Sequence, residues 1–421
     1  MVNQRLWRSA AADGESVLRA LVGMQAQEFA YALWSVAQRI GGPAGSADLL
    51  TAFDAGRLLR THVLRTTWHF ALPEDVRWLL RLTTPKLRSI NGYYDRQLGL
   101  ERSEIDRAQV VLAEEVAGGR HRTRKELAAA LESAGIRANG QRLAHLVMHA
   151  EFDEVLISGA MNGKQQTYAA FDERVPLAGT FTTSGMHEAA FDESGALAEL
   201  ARRFVATRGP VTVKDLAIWA SLTQAQAKRG LAAIEPDCLT TELDGMILYS
   251  LEASGDATAD GPGPVVDLVQ GYDEIVMSYC ESRYLLTGGL GSLPVPDRSS
   301  YLHTILCDGR LAGHRRHRFG RAGAVIDLQR RRPLASDERT ALEGAGARYG
   351  CYLGVQTTLA EPVLMARMCG NASWVSRASA NMLDRLDLPG HAERARRATD
   401  DLDPGNRACR SDSGADSGQS R

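Results

Sequence analysis

The sequence predicts an α+β fold, mainly helical, made of three tandem winged-helix units followed by a C-terminal β-rich region. Three observations carry that expectation. An order of short helices followed by a strand pair can be read three times before residue 252. The two later copies open their second helix with a cap, Thr123 with Glu126 and Thr212 with Asp215. Beyond residue 252 the helical period gives way to strand and hairpin patterns. The expected units are 1–100, 101–180, 190–252 and 264–395, with a polar tail at 400–421 that reads as disordered.

In the first unit, ESVLRALVG, EFAYALWSVAQRI and SADLLTAFDAGRLLR read as helices, and VLRTTWHFAL (63–72) as strand. In the second, Ile105, Ala108, Val111, Leu112 and Val116 recur at helical spacing. TRKELAAALESAGI and NGQRLAHLVMHAEFDEV supply two more helices, and VLISG and QTYAAFD flank a turn at MNGKQ. In the third, ALAELARRFVATRG, GPVTVKDLAIWASL and TQAQAKRGLAAIE precede the pair CLTTELDG and MILYSLE. The loop SGDATADGPGP (254–264) follows. Next come a hairpin turning at Asp308-Gly309 and a helix from Ser336, its expected N-cap. Helices two and three of each unit form a helix-turn-helix, a module often turned toward duplex DNA.

Hydrophobic residues at 44% and charged residues at 24% fit a globular protein with a core. A net charge of −2 does not mark a nucleic-acid binder, because the total says little about one face. Only five of 49 basic residues are lysine. That bias fits phosphate recognition by guanidinium groups, and equally the codon usage of a GC-rich genome. Cysteines 238, 280, 307, 351, 369 and 409 show no CxxC spacing, which argues against a zinc ribbon and fits a reduced compartment. No apolar signal core or membrane-length run is present, so a cytoplasmic, nucleoid-associated protein is expected.

No metal-ligand cluster, phosphate loop, dinucleotide fingerprint or Ser-His-Asp signature is visible, and no cofactor or metal is expected. His314 and His317 read as a solvated strand face. Around them Arg310, Arg315, Arg316, Arg318 and Arg321 cluster, which fits either phosphate contact or an edge strand protected by charge. Gln25 and Gln27 stand in LVGMQAQEFAYALW just after Gly23. In a helix they would lie on opposite sides; in an extended segment they share one. The pattern alone fits both a helix-capping role and a pair of amides projecting together.

Gln25-Ala26-Gln27 resembles the QxQ motif of the AlkZ-like DNA glycosylases, whose sister branch carries QxD. LRTTWHF (64–70), RGPVTVKDLAIWASL (208–222), GYDEIVMSYCESR (271–283) and LCDGRLAGHRRHR (306–318) extend the resemblance over about residues 4–365. Thr66 departs from an expected glycine, and Arg208 from the histidine that commonly precedes Gly-Pro. The resemblance implies tandem winged helices around a basic concave surface fitted to double-stranded DNA. It also implies catalysis by Gln25 and Gln27 and a place for His69 near the lesion. Trp68 reads as core packing.

An amide is no useful base at neutral pH, whereas most glycosylases need an acid or an activating carboxylate. An N7-alkylated guanine already carries a ring charge and leaves unprotonated, so fixed dipoles that hold a water against C1′ suffice. The resemblance therefore implies a cationic substrate, bulky adducts and interstrand crosslinks included. Asp273 and Glu274 are the nearest acids should a base be required, and such a pair also suits a helix start or ion pairs with arginine. A monomer is expected. The alternatives are a non-catalytic winged-helix regulator and a family member that binds lesions without cleaving them.

Overall fold

The computed structural model describes residues 1–175, 182–183, 190–251, 263–282, 303–320 and 323–360. It opens with α1 (Gly14–Leu21), begun by Asp13, whose carboxylate accepts from the Ser16 amide. The chain leaves α1 through Val22, at φ 69°. Positive φ is strained for a β-branched residue. It then enters β1 (Gly23–Gln25), α2 (Phe29–Ala37), α3 (Ser46–Asp54), β2 (Leu59–His62) and β3 (Trp68–Ala71). The small sheet has the order β1-β3-β2, which leaves β1 at an edge.

The second repeat has α5 (Arg102–Val116), β4 (Arg122–Thr123), α6 (Arg124–Ser133), α7 (Gly140–Phe152), β5 (Leu156–Ser158) and β6 (Thr167–Ala170). Its sheet order, β4-β6-β5, matches the first. A short α8 (Phe171–Arg174) and the pair β7 (Thr182–Thr183) and β8 (Ala190–Phe191) lead onward. The third repeat has α9 (Glu193–Arg208), α10 (Val213–Trp219), α11 (Gln224–Ile234), β9 (Leu239–Leu243) and β10 (Met246–Ser250). Here a single bridge from Val211 to Tyr249 takes the place of the leading strand. Each repeat is therefore helix, edge strand or bridge, helix, helix, hairpin.

The C-terminal region is a five-stranded sheet: β11 (Val266–Val269), β12 (His303–Cys307), β13 (Arg310–Gly320), β14 (Gly323–Arg330) and β15 (Thr357–Ala360), in sequential order. Its pairs are antiparallel except β14 with β15. Asp308 (φ 49°) and Gly309 (φ 73°) make the expected tight turn, both central residues left-handed. α12 (Glu274–Met277) follows β11, and α13 (Ser336–Leu353) lies on the sheet.

Several expectations are corrected. Only Trp68–Ala71 of the 63–72 stretch is strand, because Leu64 at φ 65° turns the chain. The end of GRLLR is β2, not helix. Between the first two repeats lies α4 (Pro73–Gln97), 25 residues long and unforeseen, with Pro73 at its start and Pro85 inside it. Ala335, not Ser336, stands at the N-cap of α13; its methyl cannot cap, and Glu338 accepts from the Ala335 amide at 2.8 Å. His314 and His317 are buried rather than solvated, since β13 is a central strand. The tail at 400–421, Arg321 and most of the 254–264 loop lie outside the described residues.

The first repeat and the C-terminal sheet share one core, from Ala11–Leu72 to Val266–Leu353. Trp34 on α2 joins them: its ring lies 4.8 Å from that of Tyr349 and its indole N–H donates to the Leu268 carbonyl at 2.7 Å. The second repeat has its own core around Leu112, Leu127, Leu131 and Leu146. No described helix is long and apolar enough to cross a membrane.

Candidate active site

Gln25 ends β1, the chain bends at Gln27 and Glu28, and α2 starts at Phe29. The two glutamines thus sit on a non-helical corner. The ladder with β3 continues one residue past the strand, because the Ala26 amide donates to the Trp68 carbonyl at 2.7 Å. Extended backbone through Ala26 turns Ala26 inward, fully buried, and leaves Gln25 and Gln27 to flank it. Gln25 is 2% exposed, while Gln27 is half-buried. Among the described residues no hydrogen bond involves the Gln27 side chain.

An edge strand presents unpaired backbone groups, and at Gln25 side chains from far along the chain satisfy them. The Gln25 amide donates to Glu274 Oε1 at 2.9 Å, and Gln270 Nε2 donates to the Gln25 carbonyl at 3.4 Å. Glu274 is fully buried. Its Oε2 accepts from Arg208 at 2.9 Å, from the Trp219 indole at 2.7 Å and from Ser278 at 2.9 Å. Arg208 also lies 4.3 Å from the Trp219 ring, a cation–π contact that helps hold a desolvated charge. Burial alone would raise the Glu274 carboxyl. Arg208, Arg65, His69 and the Gln25 amide outweigh that and hold it at about 2. It is an anion at neutral pH with its oxygens engaged, and so is not available as a base. Asp273 is likewise committed, to Arg39 at 2.6 Å and to the start of α12.

The Gln25 side chain is gripped as well. Arg65, just past the strained Leu64, donates to Gln25 Oε1 at 2.8 Å and to the Trp219 carbonyl at 3.0 Å. Burial pulls its guanidinium down to about 10, so it stays charged at neutral pH. On the other flank Arg60 donates to the Ala26 carbonyl at 2.9 Å and the Gln27 carbonyl at 3.3 Å. The same guanidinium lies 4.2 Å from the Trp68 ring. Trp68 is half-buried, with Arg60 over its ring and the tilted His62 ring 4.4 Å away, rather than packed in the core. His69 pairs with Gln25 across the ladder but is fully buried. Its Nδ1–H donates to the Thr67 carbonyl at 2.8 Å. Burial first, and the Arg65 charge next, hold its pKa well below the ordinary 6.5, so Nε2 is a bare acceptor.

The arginines expected to face phosphate divide. Arg310 is exposed at the start of β13. Arg316 and Arg318 share Asp327, at 2.8 and 2.7 Å. Arg315 turns inward instead, donating to the Leu268 carbonyl at 2.9 Å with its guanidinium 4.6 Å from the Tyr349 ring. None of them appears among the groups gripping the glutamines. The arginines that do so, Arg60 and Arg65, and Arg208, which holds Glu274, went unassigned, although Arg65 and Arg208 stand inside motifs quoted for the resemblance. In so arginine-rich a chain, nothing local separates them from surface charges.

Asp95, His145 and His149 are spaced closely enough to hold a cation. Each carboxylate oxygen already accepts from one imidazole, at 2.7 Å from His145 and 3.1 Å from His149. These bonds brace α4 against α7.

The family model described as DNA glycosylase AlkZ-like matches residues 18–352. The chain belongs to the AlkZ-like DNA glycosylase family. A solved structure, the DNA glycosylase AlkZ of Streptomyces sahachiroi, superposes with a TM-score of 0.65 at 17% identity. The match covers 86% of this chain and 96% of that one. At that identity the likeness speaks for the fold. No curated protein sequence matches.

Proposed function

We propose that this AlkZ-like protein hydrolyses the N-glycosidic bond of cationic N7-alkylguanine in double-stranded DNA, with water held by Gln25 and Gln27. One observation carries the reading: the amides stand on a bent corner where Glu274, which binds the Gln25 backbone, and its neighbour Asp273 are locked in ion pairs with Arg208 and Arg39. With Glu274 and Asp273 both committed to ion pairs, neither serves as a general base, which suits a nucleobase that leaves without help. The C1′–N bond breaks with its electron pair returning to the charged ring. Water forms the C1′–O bond, and its proton passes to solvent. The helix-helix-hairpin repeats, read as tandem winged helices, would form a basic concave surface along the duplex. Arg310, Arg316, Arg318 and Arg321 would lie along its phosphates. Bulky adducts and interstrand crosslinks belong to the same substrate class, and the protein would act as a monomer at the nucleoid.

The test is release of 7-methylguanine from methylated duplex DNA. Wild-type protein should leave abasic sites, and Gln25→Ala or Gln27→Ala should each slow release by about 100-fold, the usual effect of removing a preorganised dipole. Uracil-containing DNA should stay intact. Release unaffected by both substitutions would remove the mechanism.

A further inference from the structure

The two glutamines are not equivalent. A guanidinium carries donors only. The Gln25 atom 2.8 Å from Arg65 Nη2 is therefore the carbonyl oxygen, since the reversed amide would set N–H against N–H. Arg65 is itself fixed, by the Trp219 carbonyl at 3.0 Å and by Glu274 Oε1 at 3.9 Å. With its backbone N–H and C=O also engaged by Glu274 and Gln270, the one polar group of Gln25 left uncommitted among the described residues is its Nε2H2. Gln27 has its backbone carbonyl held by Arg60 but its side chain unbonded, so its amide can turn either way.

We propose that Arg65 is a positioning residue that fixes the polarity of Gln25, making Gln25 the donor of the pair and Gln27 the acceptor for the attacking water. This rests on the glycosylase reading. Water that attacks C1′ must shed positive charge through a hydrogen it donates, and an amide NH2 cannot receive it. Gln25 Nε2 instead faces an oxygen, either that of the water or one on the sugar or departing base. Gln27 Oε1 takes the water's hydrogen while the C1′–O bond forms and the C1′–N pair returns to the base. The proton then leaves to solvent.

Isosteric variants separate these roles. Gln25→Glu keeps an oxygen for Arg65 but replaces the donor with an acceptor. Gln27→Glu keeps the acceptor. On methylated DNA, Gln25→Glu should lower kcat by about 100-fold and be at least about tenfold the more damaging of the two. In an Arg65→Met background, Gln25→Glu should cost far less than it does alone, whereas additive losses would mean no coupling. Arg65→Lys, which still donates, should recover part of the Arg65→Met loss with KM unchanged. Equal losses for the two Glu variants, or a worse Gln27→Glu, would overturn the assignment. Thermal midpoints near that of the wild type exclude misfolding as the cause.

A readout without turnover keeps this apart from the parent reading. With 15N-labelled glutamine, the Gln25 side-chain amide signals should move on Arg65→Met while those of Gln27 stay. Unmoved Gln25 signals would refute the Arg65 grip. A wild-type protein that releases no base would refute the glycosylase reading instead.

Discussion

Glu274 is the residue on which the corner depends, and its carboxylate serves four donors besides facing Arg65. Were it a general base, Glu274→Gln would abolish base release and leave stability intact. The geometry requires the opposite: Arg208 would lose its buried counter-charge, destabilising the fold by about 3–5 kcal/mol, with the loss read by urea denaturation. The same carboxylate gives a pH signature. Its folded pKa of about 2 lies below the ordinary 4.5, so its stabilisation is complete above that value and fades as pH falls from 4.5 toward 2. A shift of this size corresponds to on the order of 3 kcal/mol. Acid unfolding followed by far-UV circular dichroism should therefore begin at a higher pH, and with a shallower slope, in Glu274→Gln. At this scale the extended corner at Gln25–Gln27 was legible, because an apolar-polar alternation after Gly23 is a local signal. The grip of Arg65 and Arg208 was not, because their partners lie 40 and 66 residues away.

Helix starts written in side chains could be read at the scale of single elements. Thr123 with Glu126, and Thr212 with Asp215, form the capping boxes their spacing implies. Asp215 does more than cap α10: it also accepts from the Cys280 and Glu281 amides and the Ser282 hydroxyl, at 2.7–2.9 Å. Asp215→Ala should then cost about 3 kcal/mol, since several buried donors lose their acceptor. Thr123→Ala, at an ordinary cap, should cost about 1 kcal/mol. Paired chemical denaturation curves check the difference, and equal losses would mean the reach to 280–282 adds nothing. The long α4 has no counterpart in the sequence reading, and Pro85 and the polar run NGYYDRQ inside it disfavour a helix. Burial of Trp78, Leu79 and Leu82 against neighbouring elements outweighs that propensity. The inward turn of Arg315 was hidden for a related reason: whether a basic strand is central or at an edge depends on β14, which pairs with its far side.

Across the whole molecule, helix-and-hairpin repetition could be read from the pattern, but the union of the first repeat with the last sheet could not. That union is carried by Trp34 and by Arg39 with Asp273, a pair with both side chains at 0% exposure. Arg39→Met strands the Asp273 charge and should lower stability by about 3–5 kcal/mol, more than the exposed pair Arg19–Glu74, worth less than about 1 kcal/mol. Calorimetry on the two single variants decides it.

Gln25 receives its backbone partner from a residue 249 positions downstream. A nascent chain carries both amides from its first moments outside the ribosome, yet the Gln25 backbone lacks its Glu274 and Gln270 partners until the region around α12 has emerged and docked. On the proposed reading, readiness to cut a glycosidic bond then belongs to the chain that includes this region. A fragment ending before Gln270, even if soluble and able to bind duplex DNA, should leave alkylated guanines in place.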